Sequence, residues 1–232
     1  KSPGIAVISD HQHEIRTIND FTYLGYGFSD KGLILPQKTK KKLEQKVSRL
    51  INIYLINALK HGFNPKRAHR AEGYDWDLLG LIYELRRGFY GGLKESEIQD
   101  FIYGGKRLSK MRGLMGFYCL IEDPSVLRAL DGWTVNMVRR ACVERHRILK
   151  AKYRSDCPTP SNQGLISGNW IAPTAWRDHF DSNNDVETGF PSLVRGWRAA
   201  RKHFFTFGLE EVQAPGYNSS FDVSSLFDVL EY

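Results

Sequence analysis

Lys38, Lys42, Lys46 and Arg49 recur along one short stretch of chain. At about 100° per residue they fall within about a quarter-turn of one another on a helix, on a different face from Leu43, Val47, Leu50, Tyr54 and Ala58. A row of cations with that spacing suits the neutralisation of phosphates along a nucleic-acid backbone. It suits equally a solvated basic face on a helix that packs its apolar side inward. Other chemistry is harder to assemble. Acidic residues are scattered, and Gly73-Tyr74-Asp75-Trp76-Asp77 lacks the paired aspartates of a turn that holds two Mg²⁺ ions for in-line nucleotidyl transfer. There is no Gly-rich phosphate loop, Ser/His/Asp set or Cys/His dyad. His11 and His13 stand in a polar run without Cys, Asp or Glu at ligand spacing and read as solvated loop residues. Cys119, Cys142 and Cys157 are far apart with no C-x-x-C pair, which suits free thiols in a reducing cytosol. No catalytic residue and no metal ligand is assigned to this chain.

The elements that must position the basic row begin upstream of it. Ile5 to Ile8 is a short apolar strand followed by a polar loop. Phe21 to Phe28 is rich in aromatic and β-favouring residues, Ser29-Asp30-Lys31-Gly32 closes a turn with Gly32 at positive φ, and Leu33-Ile34-Leu35 returns as a strand. Pro36 ends it and opens the helix that carries the row. That helix is expected to run to about Lys60, where His61-Gly62 and Asn64-Pro65 stop it, and Lys66 to Gly73 is a basic loop. A second helix, Tyr74 to Tyr90, turns Trp76, Leu79, Ile82, Tyr83 and Leu85 to the first and ends at Gly91-Gly92. A third, Lys94 to Tyr103, ends at Gly104-Gly105, and Lys106, Arg107, Lys110 and Arg112 follow. Asp123 as N-cap and Pro124 at N1 start a long helix. Its apolar face is read as Leu127, Leu130, Met137, Ala141 and Ile148, with Arg139, Arg140, Arg147, Lys150 and Arg154 roughly opposite. Residues 157–169 read as a turn-rich linker with Trp170, Trp176 and Phe180 packed beside it. Pro191 starts a last helix with Leu193, Val194, Trp197, Ala200 and Phe204 inward and Arg195, Arg198 and Lys202 outward. The tail from Phe221 to Tyr232 mixes apolar and acidic residues, as a helix that docks back or as a contact in a homo-oligomer.

At 232 residues the chain can bury a real core, read as two subdomains. No apolar run reaches the roughly 18 residues of a membrane span. No signal peptide is visible and the first residue is Lys rather than Met, so the chain reads as a cytoplasmic piece of something longer. The net charge of +7 is unevenly placed. Residues 1–154 hold 28 Lys and Arg against 16 Asp and Glu, an excess of 12 positive charges, whereas residues 155–232 hold 5 against 10, an excess of five negative ones. A basic body with an acidic end is the footprint of a phosphate-backbone binder.

The string Tyr23-Leu24-Gly25-Tyr26, followed by Phe28, Gly32, Leu35 and the Lys-rich helix, resembles the primer-grip hairpin and first thumb helix of bacterial reverse transcriptases related to group II intron and retron enzymes. In Arg112 to Lys150 the pattern R-G-x-x-x-F-Y, then L-x-x-L-D-x-W, then paired arginines is similar to the thumb and maturase-like region of the same family. The form from Gly113 to Trp133 looks closest to the defence-associated, antiphage members. The resemblance covers roughly residues 1–150; from Tyr54 to Gly92 it extends to helicity alone, and residues 155–232 have no counterpart. Lys1-Ser2 would end the N-x-x-K-(T/S) element that closes the palm.

The resemblance implies a mainly α fold. A small β-hairpin ends the palm in residues 1–35, a helical thumb or maturase-like region occupies 36–154, and an aromatic-rich α-helical extension occupies 155–232. It implies that Tyr23, Leu24, Gly25 and Tyr26 hold the primer: Gly25 allows close approach, Tyr26 offers a ring face or a hydroxyl, and Leu24 anchors the strand. Lys38, Lys42, Lys46 and Arg49 would lie along the template–primer duplex. Lys106, Arg107, Lys110, Arg112, Arg139, Arg140, Arg147 and Lys150 would add further nucleic-acid contacts. The implied activity is RNA-directed DNA polymerisation, a nucleotidyl transfer with Mg²⁺ held by palm aspartates outside this chain, in antiviral defence. The implied partners are an RNA template or non-coding RNA, a DNA primer or product, and the catalytic palm and fingers portion; no membrane is involved. An RNA-binding maturase-like splicing factor and a non-enzymatic basic helical adaptor are the alternatives.

Overall fold

The computed structural model describes residues 5–9, 14–18, 21–23, 25–57, 59, 75–108, 111–157, 159–170, 187–208 and 212. It is mainly helical, with a small antiparallel sheet at its N-terminal end. Strands β1 (Ile5–Ser9) and β2 (Glu14–Ile18) pair antiparallel, Ile5 opposite Ile18, so the segment read as a polar loop holds a second strand. A separate three-stranded meander follows: β3 (Phe21–Tyr23), β4 (Tyr26–Ser29) and β5 (Gly32–Ile34). Phe21 to Phe28 is thus two strands rather than one. Tyr23 pairs with Tyr26, with left-handed Gly25 before the second strand, and the Phe21 and Phe28 rings stack across the pair at 4.6 Å. The second turn is as expected, with Gly32 at φ +87°.

Leu35 is buried, and Pro36 in extended geometry hands the chain to α1 (Gln37–Ile51), its carbonyl accepting from Lys40 N–H. Leu43, Val47, Leu50 and Ile51 form the buried side of α1. The helix continues as a π-helical segment, Asn52–Asn57, in which Ile53, Leu55 and Ile56 are buried and Tyr54 is half-buried. The wider π turn moves the inward stripe off the register that α1 alone projects through Tyr54. Ala58, the expected stop near Lys60 to Pro65 and the basic loop Lys66 to Gly73 lie outside the described residues.

Helix α2 (Trp76–Tyr90) starts after its cap Asp75 rather than at Tyr74 and stops at Gly91, which is left-handed; Tyr83, expected to face the first helix, is exposed. Helix α3 (Glu95–Gln99) runs into a π segment, Asp100–Gly104, closed by left-handed Gly105. Helix α4 (Gly113–Phe117) packs against the end of α2: a Cβ on Gly113 would meet Phe89 C and Tyr90 N at 2.7 Å. Helix α5 (Ser125–Tyr153) is the longest element. Its cap is Pro124 and not Asp123, although the Asp123 carboxylate still accepts from Ser125 N–H at 2.9 Å. The expected linker holds a short helix, α6 (Asn162–Ser167), and α7 (Leu193–Phe207) follows Ser192. Trp170 is buried and donates from Nε1 to Thr188 O at 2.8 Å. Trp176, Phe180 and the tail 213–232 lie outside the described residues.

The inward face of α5 differs from the apolar reading. Leu127, Leu130 and Ala141 are buried, but Met137 and Ile148 are only half-buried. Thr134, Val138, Cys142, Arg145 and Leu149 take the rest of that face. Arg145 holds Asp75 through a bidentate, fully buried ion pair, donating from Nη1 to Oδ1 at 2.7 Å and from Nη2 to Oδ2, and Asp75 Oδ1 also accepts from Leu78 N–H. Asp75 therefore caps α2 and ties it to α5 at once, in a left-handed conformation with φ +39°.

One apolar core runs from Leu35 through α1, α2, α4 and α5 to Leu165, Phe190, Leu193 and Val212. Helix α7 packs on α2, α3, α4 and α5, so the described part of residues 155–232 shares this core with the rest. Its inward residues are Leu193, Gly196, Ala199, Ala200 and His203, while Val194, Trp197 and Phe204 are half-buried.

Candidate nucleic-acid interface

On α1 the four cations flank the buried face of Leu43, Val47 and Leu50, with Lys46 nearest to it, and span about 16 Å along the axis. Lys38, Lys42 and Arg49 are exposed and Lys46 is half-buried. Lys40 is paired with Glu44, but Lys38, Lys42 and Arg49 have no ion pair among the described residues. Exposed Lys41 widens the basic side. Lys38, Lys42 and Arg49 thus keep their charge at the surface, the condition under which cations displace counterions from a phosphate backbone.

Residues 117–122 fix α1 against the meander. Tyr118 Oη lies 3.1 Å from Thr39 Oγ1, Glu122 N–H donates to Leu33 O at 2.8 Å, and Leu33 N–H donates back to Glu122 Oε2 at 3.0 Å. Tyr26 closes the same junction. Its hydroxyl donates to the Phe117 carbonyl, its ring lies 5.9 Å from that of Phe117 and 5.3 Å from that of Tyr118, and burial pushes its pKa up. Of the two groups of Tyr26 read as available to a primer, ring face or hydroxyl, the hydroxyl is turned to the Phe117 carbonyl.

Gly25 sits at φ +84°, where a Cβ would meet the Phe117 ring at 3.0 Å. The left-handed turn and the packing on α4 together require glycine there, with no primer invoked. Tyr23 is 61 % exposed and Tyr26 is half-buried; Leu24 lies outside the described residues.

The other expected contacts divide. Lys106 is exposed but paired with Asp100 at 2.6 Å, and the Arg107 guanidinium lies 4.9 Å from the centre of the Phe207 ring. Arg112 is exposed beside Gly91, and Lys110 lies outside the described residues. On α5, Arg140 and Lys150 are exposed without an ion pair among the described residues, Arg139 is half-buried, and Arg147 is held by Glu144 at 2.7 Å. Arg140, Arg147 and Lys150 share the outward side, opposite Val138 and Arg145. Among the described cations of this set, those with no ion pair therefore include Lys38, Lys42 and Arg49 on α1 and Arg140 and Lys150 on α5.

Two charged clusters escaped the sequence reading. Glu187 accepts from Glu95 N–H (2.6 Å) and Ser96 N–H (3.0 Å) at the start of α3 and lies 3.7 Å from Arg86 Nε. Burial works against its ionisation, but the hydrogen bond from Ser96 Oγ (2.6 Å), with those from the Ser96 and Glu95 N–H groups, holds its pKa below the usual carboxylate value. Arg195, expected to face outward, donates from Nε to Glu95 Oε2 at 2.8 Å. Lys202 is also not simply outward, since Nζ donates to Phe101 O at 2.7 Å and Ile102 O at 3.1 Å. These pairings join residues about a hundred positions apart, which no local spacing reveals.

No other chemistry is assembled among the described residues. They contain no group of three or more His, Cys, Asp or Glu that could hold a metal ion. The three cysteines are free and buried, and burial pushes Cys142 up to about 12 and Cys157 up to about 11, far from a nucleophilic thiolate. No described helix is long and apolar enough to cross a membrane. The chain matches no family model, no curated protein and no solved structure.

Proposed function

We propose that this chain binds a template–primer duplex along α1 as the grip-and-thumb portion of a bacterial reverse transcriptase of the group II intron and retron-like type, with the defence-associated members as its nearest kin. The observation that carries the proposal is the row Lys38, Lys42, Lys46 and Arg49. It lies on a helix entered directly from the meander that bears Tyr23 to Tyr26, in the order the resemblance requires. Nucleotidyl transfer and the Mg²⁺ it uses belong in this reading to a catalytic portion outside the chain. The described residues do not fit that ion, so no step is assigned to them.

A non-enzymatic, basic nucleic-acid-binding adaptor is the second reading. What favours it is that Gly25 and the Tyr26 hydroxyl already have full structural employment on α4.

Binding assays on the purified chain separate the two. A thumb should bind an RNA–DNA hybrid with a recessed primer end more tightly than a blunt hybrid of equal length, and should not extend the primer when Mg²⁺ and nucleotides are added. Equal affinity for the two ends would leave the adaptor. Mg²⁺-dependent incorporation by the pure chain would refute the assignment of the chemistry to another portion.

A further inference from the structure

Helix α7 lies in the region without counterpart in the resemblance, and its outward side repeats the pattern of α1 with an aromatic residue added. Arg198, Arg201, Lys202 and Phe205 fall within about 100° of one another around the helix. A lone exposed Phe needs no explanation. Phe205 is 67 % exposed, but the Arg201 guanidinium stands 5.1 Å from its ring centre and 5.9 Å from that of Trp197.

Among the described residues, the cations around it are held by partners other than carboxylates or have no ion pair. Arg201 Nη1 donates to Ile121 O at 3.0 Å, Lys202 donates to the carbonyls of Phe101 and Ile102, and exposed Arg198 has no ion pair among the described residues. Carbonyl partners fix the side chains while leaving a net positive charge at the surface. The Leu120 to Glu122 segment that receives Arg201 and Trp197 also receives Leu33 of β5, so this face of α7 adjoins the meander through one shared stretch of backbone.

We propose that this face of α7 is a platform for single-stranded nucleic acid. One base stacks on Phe205, and Arg198, Arg201 and Lys202 meet the flanking phosphates. Positioned cations beside an exposed ring are the two components of sequence-tolerant single-strand binding. The proposal rests on the reading that the chain binds nucleic acid and assigns it a second contact region, distinct from the duplex row on α1.

The test is fluorescence anisotropy of the whole chain with an oligo-dT of about ten nucleotides and, separately, with a hybrid duplex. Phe205→Ala should raise the Kd for oligo-dT about tenfold, Phe205→Trp should restore it, and neither should change duplex affinity. Arg198→Gln should lower the salt slope for oligo-dT by about 0.7. Unchanged oligo-dT affinity in both Phe205→Ala and Arg198→Gln overturns the platform. If duplex binding then still depends on the α1 row, the platform alone falls; if the wild-type chain binds neither ligand, the reading beneath it falls too. Loss of a dimer on Phe205→Ala, with oligo-dT affinity unchanged, would also overturn it, in favour of a self-association face.

Discussion

The Tyr26 hydroxyl and the Gly25 backbone serve the junction between meander and α4, and that fixes what their replacement should do. Tyr26→Phe removes a half-buried hydrogen bond to the Phe117 carbonyl and should cost about 1 kcal/mol in urea unfolding, with duplex affinity of the folded protein unchanged. Gly25→Val places a β-branched side chain at φ +84° against Phe117, so stability and nucleic-acid binding should fall together. A folded Tyr26→Phe variant that had lost duplex affinity would return the hydroxyl to the nucleic acid.

Glu95 makes a second residue-scale prediction. Its Oε2 meets Arg195, its Oε1 has no hydrogen-bond partner, and burial pushes its pKa up to about 7 against the attraction of Arg195 and Arg86. Below about 4.5, its ordinary value, the carboxyl is protonated in folded and unfolded chains alike and has no effect on stability. Between about 4.5 and about 7 the unfolded chain releases a proton that the folded one keeps, so stability should fall as pH rises through that window. The drop is at most about 3 kcal/mol and is complete above it. Glu95→Gln should remove this component, so its stability relative to wild type should climb from pH 4.5 to 7 in denaturant titrations. A constant difference across the window would contradict the burial argument.

At the scale of elements, helix ends were legible where a single residue dictates them. Gly91 and Gly105 adopt the left-handed stop that glycine allows, and α1 shows the register that Leu43, Val47 and Leu50 announce. The break between β3 and β4 was not legible, because Phe21 to Phe28 reads as one aromatic run. The only local signal was a glycine flanked by cross-strand tyrosines. The inward side of α5 escaped for a different reason. Arg145 and Thr134 occupy it, and a charged residue at a core position is readable only once its partner, Asp75, is known.

The seating of α7 rests on another such partner. Asp131 of α5 accepts from Ser192 Oγ at 2.7 Å, Leu193 N–H at 2.7 Å and Val194 N–H at 3.2 Å, and so caps α7 from a neighbouring helix. Asp131→Ala should cost about 1–2 kcal/mol in urea unfolding, with Asp131→Asn losing less. An unchanged midpoint in Asp131→Ala would show that α7 is held by its apolar side alone.

At the scale of the whole molecule, the charge asymmetry was legible from composition, and its placement was legible only in part. Lys38, Lys42 and Arg49 are exposed along α1 and Lys46 is half-buried, whereas Lys106 and Arg147 are each matched to an acidic neighbour and Arg195 turns to Glu95. Among the described residues beyond 155, Leu165, Phe190, Leu193 and Val212 join the core that begins at Leu35. Lys38, Lys42 and Arg49 on α1 and Arg140 and Lys150 on α5 are exposed cations with no ion pair among the described residues. The direct measurement is the slope of log Kobs against log salt concentration for a hybrid duplex, compared between the wild-type chain and a variant with Lys38, Lys42, Lys46 and Arg49 all replaced by Ala. At about 0.9 per phosphate contact, the variant's slope should be shallower by roughly 3 to 4, with weaker binding at every salt concentration and the same unfolding midpoint. An unchanged slope and affinity in a folded variant would contradict the account and leave the row as ordinary solvated surface.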